Sequence, residues 1–209
     1  MGRPRQRTPE LRTHVLATAR ETLSSVGIAG FTTKQLAVSA GTSVPAIYEL
    51  FGDKSGIVRE LFFLGFHELA LVLGDVPKTE SPHADLEEFM GAFRTFVVTN
   101  PVLAKIMFGQ PFADFEPKPS DLAAADLCRK MLVRAVKRCL VAGEFSPLRN
   151  EPHSGPGAAT DHGEAVDIAH VLLAFVQGFA MQEAAGWIGR SPSSIDRRWS
   201  LALRALLPG

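Results

Sequence analysis

FTTKQLAVSAGTSVPAIYELFGDKSGIVRELF, residues 31 to 62, is the most informative stretch of the chain. Its apolar residues recur at helical spacing and are interrupted by turn residues. The pattern predicts a short helix that starts near Thr33, is capped by Thr32 or Thr33, turns Leu36 and Ala37 inward and reaches Ala40. Gly41 supplies a left-handed turn. A second short helix is expected after Thr42 or Ser43, with Pro45 in its first turn and its end near Phe51. Ser55 or Asp53 then opens a longer helix carrying Leu61, Phe62, Leu64 and Phe66 toward the break at Gly74, Asp75, Val76 and Pro77.

Working outward, the same reading gives a leading helix over residues 9–26, with Thr8 as N-cap and Pro9 at its first position, stopped by Gly27. Beyond Pro77, Ser81-Pro82 opens a helix to about Asn100, Pro101 starts a short one, and PFADFEPKPS reads as an irregular link. Ser120 is expected to cap a helix over 121–142, ended by Gly143. The stretch from about 147 to 163 is rich in Pro, Gly, Ser and His without apolar period and reads as a long mobile loop. Helices resume over 164–186 and after Ser191-Pro192, where Ile195, Trp199, Ala202, Leu203 and Leu206 share a face. Strand signals are scarce, so the expected fold is all-α, in two domains: a head over 1–54 and a larger body over 55–209.

Charge is balanced, with 22 basic and 22 acidic residues, so no global field points to a polyanionic partner. The front end departs from that balance. Through Lys54, seven basic residues (Arg3, Arg5, Arg7, Arg12, Arg20, Lys34 and Lys54) face four acids (Glu10, Glu21, Glu49 and Asp53). Cys128 and Cys139, eleven residues apart in one expected helix, lie roughly 16 Å apart by helical rise and cannot pair with each other. The start, MGRPRQRTPE, has no apolar run behind it and does not read as a secretory signal, and the longest apolar stretches are interrupted by Gln, Glu or Lys. No membrane association and a cytoplasmic location are therefore expected. An enzyme would have to use His153, His162 and His170 with Asp161 and Asp167, whose spacing fits no standard metal signature. With no phosphate-binding loop and no nucleophile elbow, no catalytic residue, no metal and no cofactor is expected.

Two short helices separated by a Gly turn form the layout that sets one helix across the DNA backbone and the next into the major groove. Here the sequence resembles the tetracycline-repressor (TetR) family of regulators. The resemblance spans roughly residues 9 to 62: the helix RTHVLATARETLSSVG, a Thr-Thr start, Leu-Ala before Ala-Gly, a small polar pair, Ile-Tyr followed by Phe, and Lys at the start of the fourth helix. It implies an all-α homodimer whose helix-turn-helix head binds a double-stranded DNA operator and whose C-terminal domain senses a small molecule. Two positions depart from the family pattern. Leu50 stands where many relatives carry His, and Glu49 before it is acidic.

Physical chemistry gives the head residues specific tasks. Thr33 at a helix N-terminus can offer its hydroxyl and first-turn amides to a phosphate, and Thr42 and Ser43 can do the same or donate to a base edge. Val44, Pro45 and Ala46 suit contact with thymine methyl groups. Tyr48, the only tyrosine, has a hydroxyl that would reach a phosphate, and Lys54 adds a charge toward the backbone. No Arg or Lys lies within the second short helix, so the arm carrying Arg3, Arg5 and Arg7 is the expected source of minor-groove contacts.

In the body, phenylalanines cluster between Phe62 and Phe115 and again at Phe175 and Phe179. A pocket there would take a small apolar or aromatic effector. Phe66, Phe93, Phe96, Met107, Phe108, Phe112, Phe175 and Phe179 are its candidate lining, with Arg94, Asn100, Gln110 or Gln177 for polar contacts. FRTFVVTNPVLAKIMFGQPF is similar to the corresponding region of many such regulators. The small residues Ala169, Ala174, Gly178 and Ala185 allow close helix approach, and with the last helix they resemble the family's contribution to a four-helix dimer interface. The expected function is a one-component DNA-binding regulator, a repressor released by its effector. A dimer answering to a partner protein, or acting as an activator, is the alternative.

Overall fold

The computed structural model describes residues 8–109, 118–144 and 158–207, with the side chains of 158–162 left aside. Nine helices cover these residues: α1 (Pro9–Gly30), α2 (Thr33–Ser39), α3 (Val44–Phe51), α4 (Lys54–Gly74), α5 (Pro82–Thr99), α6 (Pro101–Phe108), α7 (Pro119–Ala142), α8 (Ala158–Ala184) and α9 (Pro192–Leu206). No strand occurs among the described residues, and the fold is all-α. The chain divides into two compact units, Met1–Phe66 with Val102–Leu122, and His67–Pro101 with Ala123–Gly209.

In the first unit, local signals set the helix ends. Thr8 Oγ1 accepts the Leu11 amide, and Pro9 follows it in the first turn, where a missing N–H costs nothing. Gly27 breaks α1 as expected, with φ +70°, and a short turn continues beyond it to Gly30. Val15, Ala19 and Leu23 of α1 share a core with Leu36 and Ala37 of α2 and Ile47 of α3, all buried. Residues 54–66 of α4 add Ile57, Val58 and Leu61, and α6 adds Leu103, Ala104 and Ile106. At Gly65 a side chain would run into the Met107 thioether, so the glycine is what lets α4 and α6 approach. Asp121, fully buried, pairs with Arg59 of α4 and accepts the Lys118 amide at 2.7 Å, tying the first turn of α7 to this unit.

The second unit is built on α5 lying along α8. Leu86, Phe89, Met90, Phe93, Phe96 and Val97 line the buried side of α5, and Ala165, Ala169, Leu172, Val176 and Ala180 that of α8. Alanines at three of those five α8 positions permit the close approach. Val136 and Cys139 of α7 and Ile195, Trp199 and Leu203 of α9 complete the core. Both cysteines are buried, and burial pushes each thiol up to about 11. They act as small apolar residues with little thiolate at neutral pH. The start of α5 is held from afar: Glu144 accepts the His83 amide at 2.8 Å, and His83 Nε2 lies 3.0 Å from the Leu207 carbonyl.

One expectation needs correction. Helix α8 begins at Ala158, inside the stretch read as loop to 163. That stretch lacks apolar period, yet helix formation needs no apolar face when alanine and acidic residues occupy the first turns. Residues 145–157 lie outside the described residues. Further, Gly163–Ala184 is by length and composition apolar enough to cross a membrane, with a mean hydropathy of 1.4. Its Glu164, Asp167, Gln177, Gln182 and Glu183 interrupt the apolar run but are too few to bring the average down. One such helix is weak evidence for a span, because the core helix of a soluble protein passes the same test.

Candidate functional site

The α2–α3 pair is fixed by its caps and its turn. Thr32 Oγ1 accepts the Gln35 amide at 3.2 Å to start α2, and Ser43 Oγ accepts the Ala46 amide at 3.3 Å to start α3. Between them Gly41 sits at φ +61°. The Thr42 amide donates to the Ala37 carbonyl at 2.9 Å and the Gly41 amide to Val38 at 3.2 Å. That pair of bonds is a Schellman closure, and the left-handed residue in it favours glycine. Ile47 and Phe51 anchor α3 to the core, so the opposite side of the helix faces outward. Pro45, Tyr48 and Glu49 are exposed there, with Val44 and Ala46 half-buried beside them.

The candidate contacts fall on this surface in a definite order. Thr33 Oγ1 lies 3.4 Å from the Tyr48 hydroxyl, and Tyr48 is 48% exposed. Two hydroxyls from two helices thus sit side by side at the α2 N-terminus, where the helix dipole favours an anion. The Ser43 hydroxyl is committed to its cap, leaving lone-pair and donor capacity for one further partner. Thr42 is half-buried behind the turn. Lys54 is drawn inward: its ammonium donates to the Ile28 carbonyl at 3.3 Å and lies 5.8 Å from the centre of the Phe31 ring. Arg3, Arg5 and Arg7 lie outside the described residues.

A residue counted in the sequence only as front-end charge supports α3 from behind. Arg12 of α1 donates to the Leu50 carbonyl at 2.8 Å, pairs with Glu60 of α4 and lies 4.8 Å over the Phe51 ring. A cation at the last turn of α3 meets the negative end of that helix and satisfies one of its orphan carbonyls. No spacing rule signals such a contact, because its partners are 38 and 48 positions away.

The candidate effector residues divide between the units. In the first unit Phe66 and Phe108 meet edge to face at 5.7 Å, and Phe62 lies 4.9 Å from Phe66. Met107 is buried against Gly65. In the second unit Phe93 and Phe96 are buried in α5, while Phe175 stacks on Trp199 at 5.4 Å and Phe179 meets the same indole at 5.3 Å. Phe112 and Gln110 lie outside the described residues. Arg94 is largely committed: it forks onto Glu183 at 2.6 and 2.9 Å, bonds Asp196 at 2.8 Å and lies over the Phe179 and Trp199 rings. Asn100 caps α5 through the Phe96 carbonyl at 2.9 Å. Gln177 is half-buried on α8. Among the described residues, no His, Cys, Asp and Glu side chains group in a way that could hold a metal ion.

Known proteins match this arrangement at the level of family and fold. A family model described as bacterial regulatory proteins, tetR family, covers residues 15–61, and one described as tetracyclin repressor-like, C-terminal domain, covers 86–206. Among solved structures, a protein of unknown function from Rhodococcus sp. RHA1 is 25% identical, with 99% of this chain and 100% of that one aligned at a TM-score of 0.74. A TetR variant from Acinetobacter baumannii AYE in complex with minocycline is 21% identical over 92% of each chain, TM-score 0.60. The transcriptional regulator FadR from Bacillus subtilis, in complex with stearoyl-CoA, is 12% identical over 94% of this chain and 98% of that one, TM-score 0.71. No curated protein matches in sequence. With the helix-turn-helix covered by one family model and more than half of the chain by the other, this protein belongs to the tetR family of transcriptional regulators.

Proposed function

We propose that the protein is a one-component repressor that binds a near-palindromic operator as a homodimer and leaves it when a small apolar or aromatic effector binds. One observation carries the reading: α3 buries Ile47 and Phe51 and turns Pro45, Tyr48 and Glu49 outward, a short rod with a free face. In this reading Pro45, Val44 and Ala46 meet thymine methyl groups, and Thr33 and Tyr48 share a phosphate. Thr42 and Ser43 border the same backbone. Arg3, Arg5 and Arg7 enter the minor groove, and Lys54, tied to Ile28, contributes charge while holding the end of α1.

Dimerisation follows from what α8 and α9 leave uncovered. Only 28% of the apolar window of α8 is buried, Val171 is 57% exposed and Leu201 of α9 is 63% exposed. A second copy would cover this face and place two α3 helices on successive major grooves. Minocycline and stearoyl-CoA in structural relatives support an effector role for the C-terminal region. The effector acts by favouring a spacing of the heads that misfits DNA, since only differential affinity for two states shifts the equilibrium. A function exercised by binding alone fits a cytoplasmic protein without catalytic residues.

The test is selection of bound fragments from a random duplex pool, followed by titration of the winning duplex against salt. Wild type should show a steep salt dependence, and Tyr48→Phe and Thr33→Val should weaken binding to all duplexes alike. Failure to enrich any sequence would overturn the reading.

A further inference from the structure

A cleft of about 150 Å³ opens on the second unit between the last turn of α4, the segment after it, the start of α5 and the middle of α7. Its floor is apolar: Leu73, Phe89, Met131 and Ala135. Its rim is cationic, with Lys78, Arg134 and Arg138 against one acid, Asp85. None of the residues expected to line an effector pocket takes part.

The charges at the rim do not cancel. Arg138 donates to Asp85 Oδ2 at 2.6 Å and to the Thr79 carbonyl at 2.6 Å, and Asp85 also accepts the Thr79 amide and hydroxyl. That cation and that anion are therefore spent on each other. Lys78 and Arg134 form no ion pair among the described residues, which leaves two positive charges beside an apolar floor. Such a surface is complementary to a molecule with an apolar body and one anionic end.

Size and shape narrow the class. A dry apolar cavity of roughly 150 Å³ holds one benzene ring. Phe89 and the Met131 thioether both favour an aromatic ring over an aliphatic one. Arg134 presents a planar fork that matches a carboxylate, with the Lys78 ammonium as a second, point-like donor. We propose that this cleft binds a monocyclic aromatic carboxylate, ring on the Leu73–Phe89–Met131 floor and carboxylate between Lys78 and Arg134. The assignment concerns binding and does not depend on the chain being a repressor.

The experiment is calorimetric titration of the full chain with benzoate and with its neutral analogue benzamide. Benzoate should bind with a dissociation constant below about 1 mM, and benzamide about tenfold more weakly. Arg134→Gln with Lys78→Gln, both exposed and therefore neutral for folding, should remove that preference and leave benzamide unchanged. Ala135→Leu fills the floor and should abolish binding of both, with an unchanged melting temperature as its folding control. No benzoate binding at millimolar concentration, equal affinity for the two probes, or full affinity in the double Gln variant would each overturn the proposal. Benzoate that binds as described supports the cleft whether or not operator affinity changes.

Discussion

The head and the α5–α8–α9 assembly solve different problems with different chemistry. In the α2–α3 pair the caps and the turn are short in sequence, Thr32 to Gln35, Ser43 to Ala46 and Thr42 to Ala37, with Arg12 as the one distant support, on the Leu50 carbonyl behind α3. The α5–α8–α9 assembly is fixed by partners far apart, Arg94 with Glu183 and Asp196, Asp85 with Arg138, His83 with Glu144 and Leu207. A short recognition rod must keep one face bare, so it is held by its ends and from behind. A body made of long helices can spend its polar groups on cross-ties between them.

That contrast is open to attack, first at its strongest cross-tie. Arg94→Ala leaves the Glu183 carboxylate poorly solvated, and removing one partner of a largely buried pair costs about 3 kcal/mol or more. Thermal unfolding should register the whole loss. Arg94→Met combined with Glu183→Leu should recover most of it, because an apolar pair leaves no buried orphan charge, Asp196 being exposed to water. A double variant no better than the single would show that the pair matters for reasons other than charge.

In the head the largest effect belongs to the turn. Gly41→Val places a β-branched residue at φ +61°, a cost of about 1–2 kcal/mol that denaturant titration should read. Because the strain falls between α2 and α3, operator binding should suffer along with stability. Ser43→Ala is milder. Loss of the cap costs about 1 kcal/mol, and the helix remains.

These positions also explain how much was legible beforehand. Thr8, Thr32, Ser43, Gly27 and Gly41 are caps and stops whose roles follow from neighbours within a turn, so the helix-turn-helix could be laid out residue by residue. The family resemblance over residues 9 to 62 rested on the same local signals. Arg12 was visible only as a charge, because its work is done on Leu50, Phe51 and Glu60. Arg94 read as a group available to a ligand, and three acceptor contacts from α8 and α9 now occupy it. The start of α8 escaped notice because apolar period reports burial, and its first turns carry no periodic apolar face. The cleft beside α7 had no sequence signal at all, since its floor and rim come from four separate segments.

The smallest expected effect concerns acid. Burial alone would raise the Asp85 carboxyl, but hydrogen bonds from Thr79 and Arg138 outweigh it and hold the group below its ordinary value. A depressed carboxyl contributes stability that is complete above its unfolded value of about 3.9 and is lost as pH falls through the folded one. The gap in melting temperature between wild type and Asp85→Asn should therefore stay constant from about pH 5 to 8 and narrow below about pH 4. A gap that widened in acid would mean the carboxylate is not the stabilised form.

The central claim is that the outward face of α3 enters a duplex groove, and Pro45→Glu tests it most directly. Pro45 is exposed in the first turn of α3, where glutamate is favourable for the helix, so the melting temperature should not fall. On the duplex selected by wild type, the added charge should face phosphates and bases from both protomers and lower affinity by about a hundredfold or more. A folded Pro45→Glu protein that bound the same duplex as tightly as wild type would contradict the account.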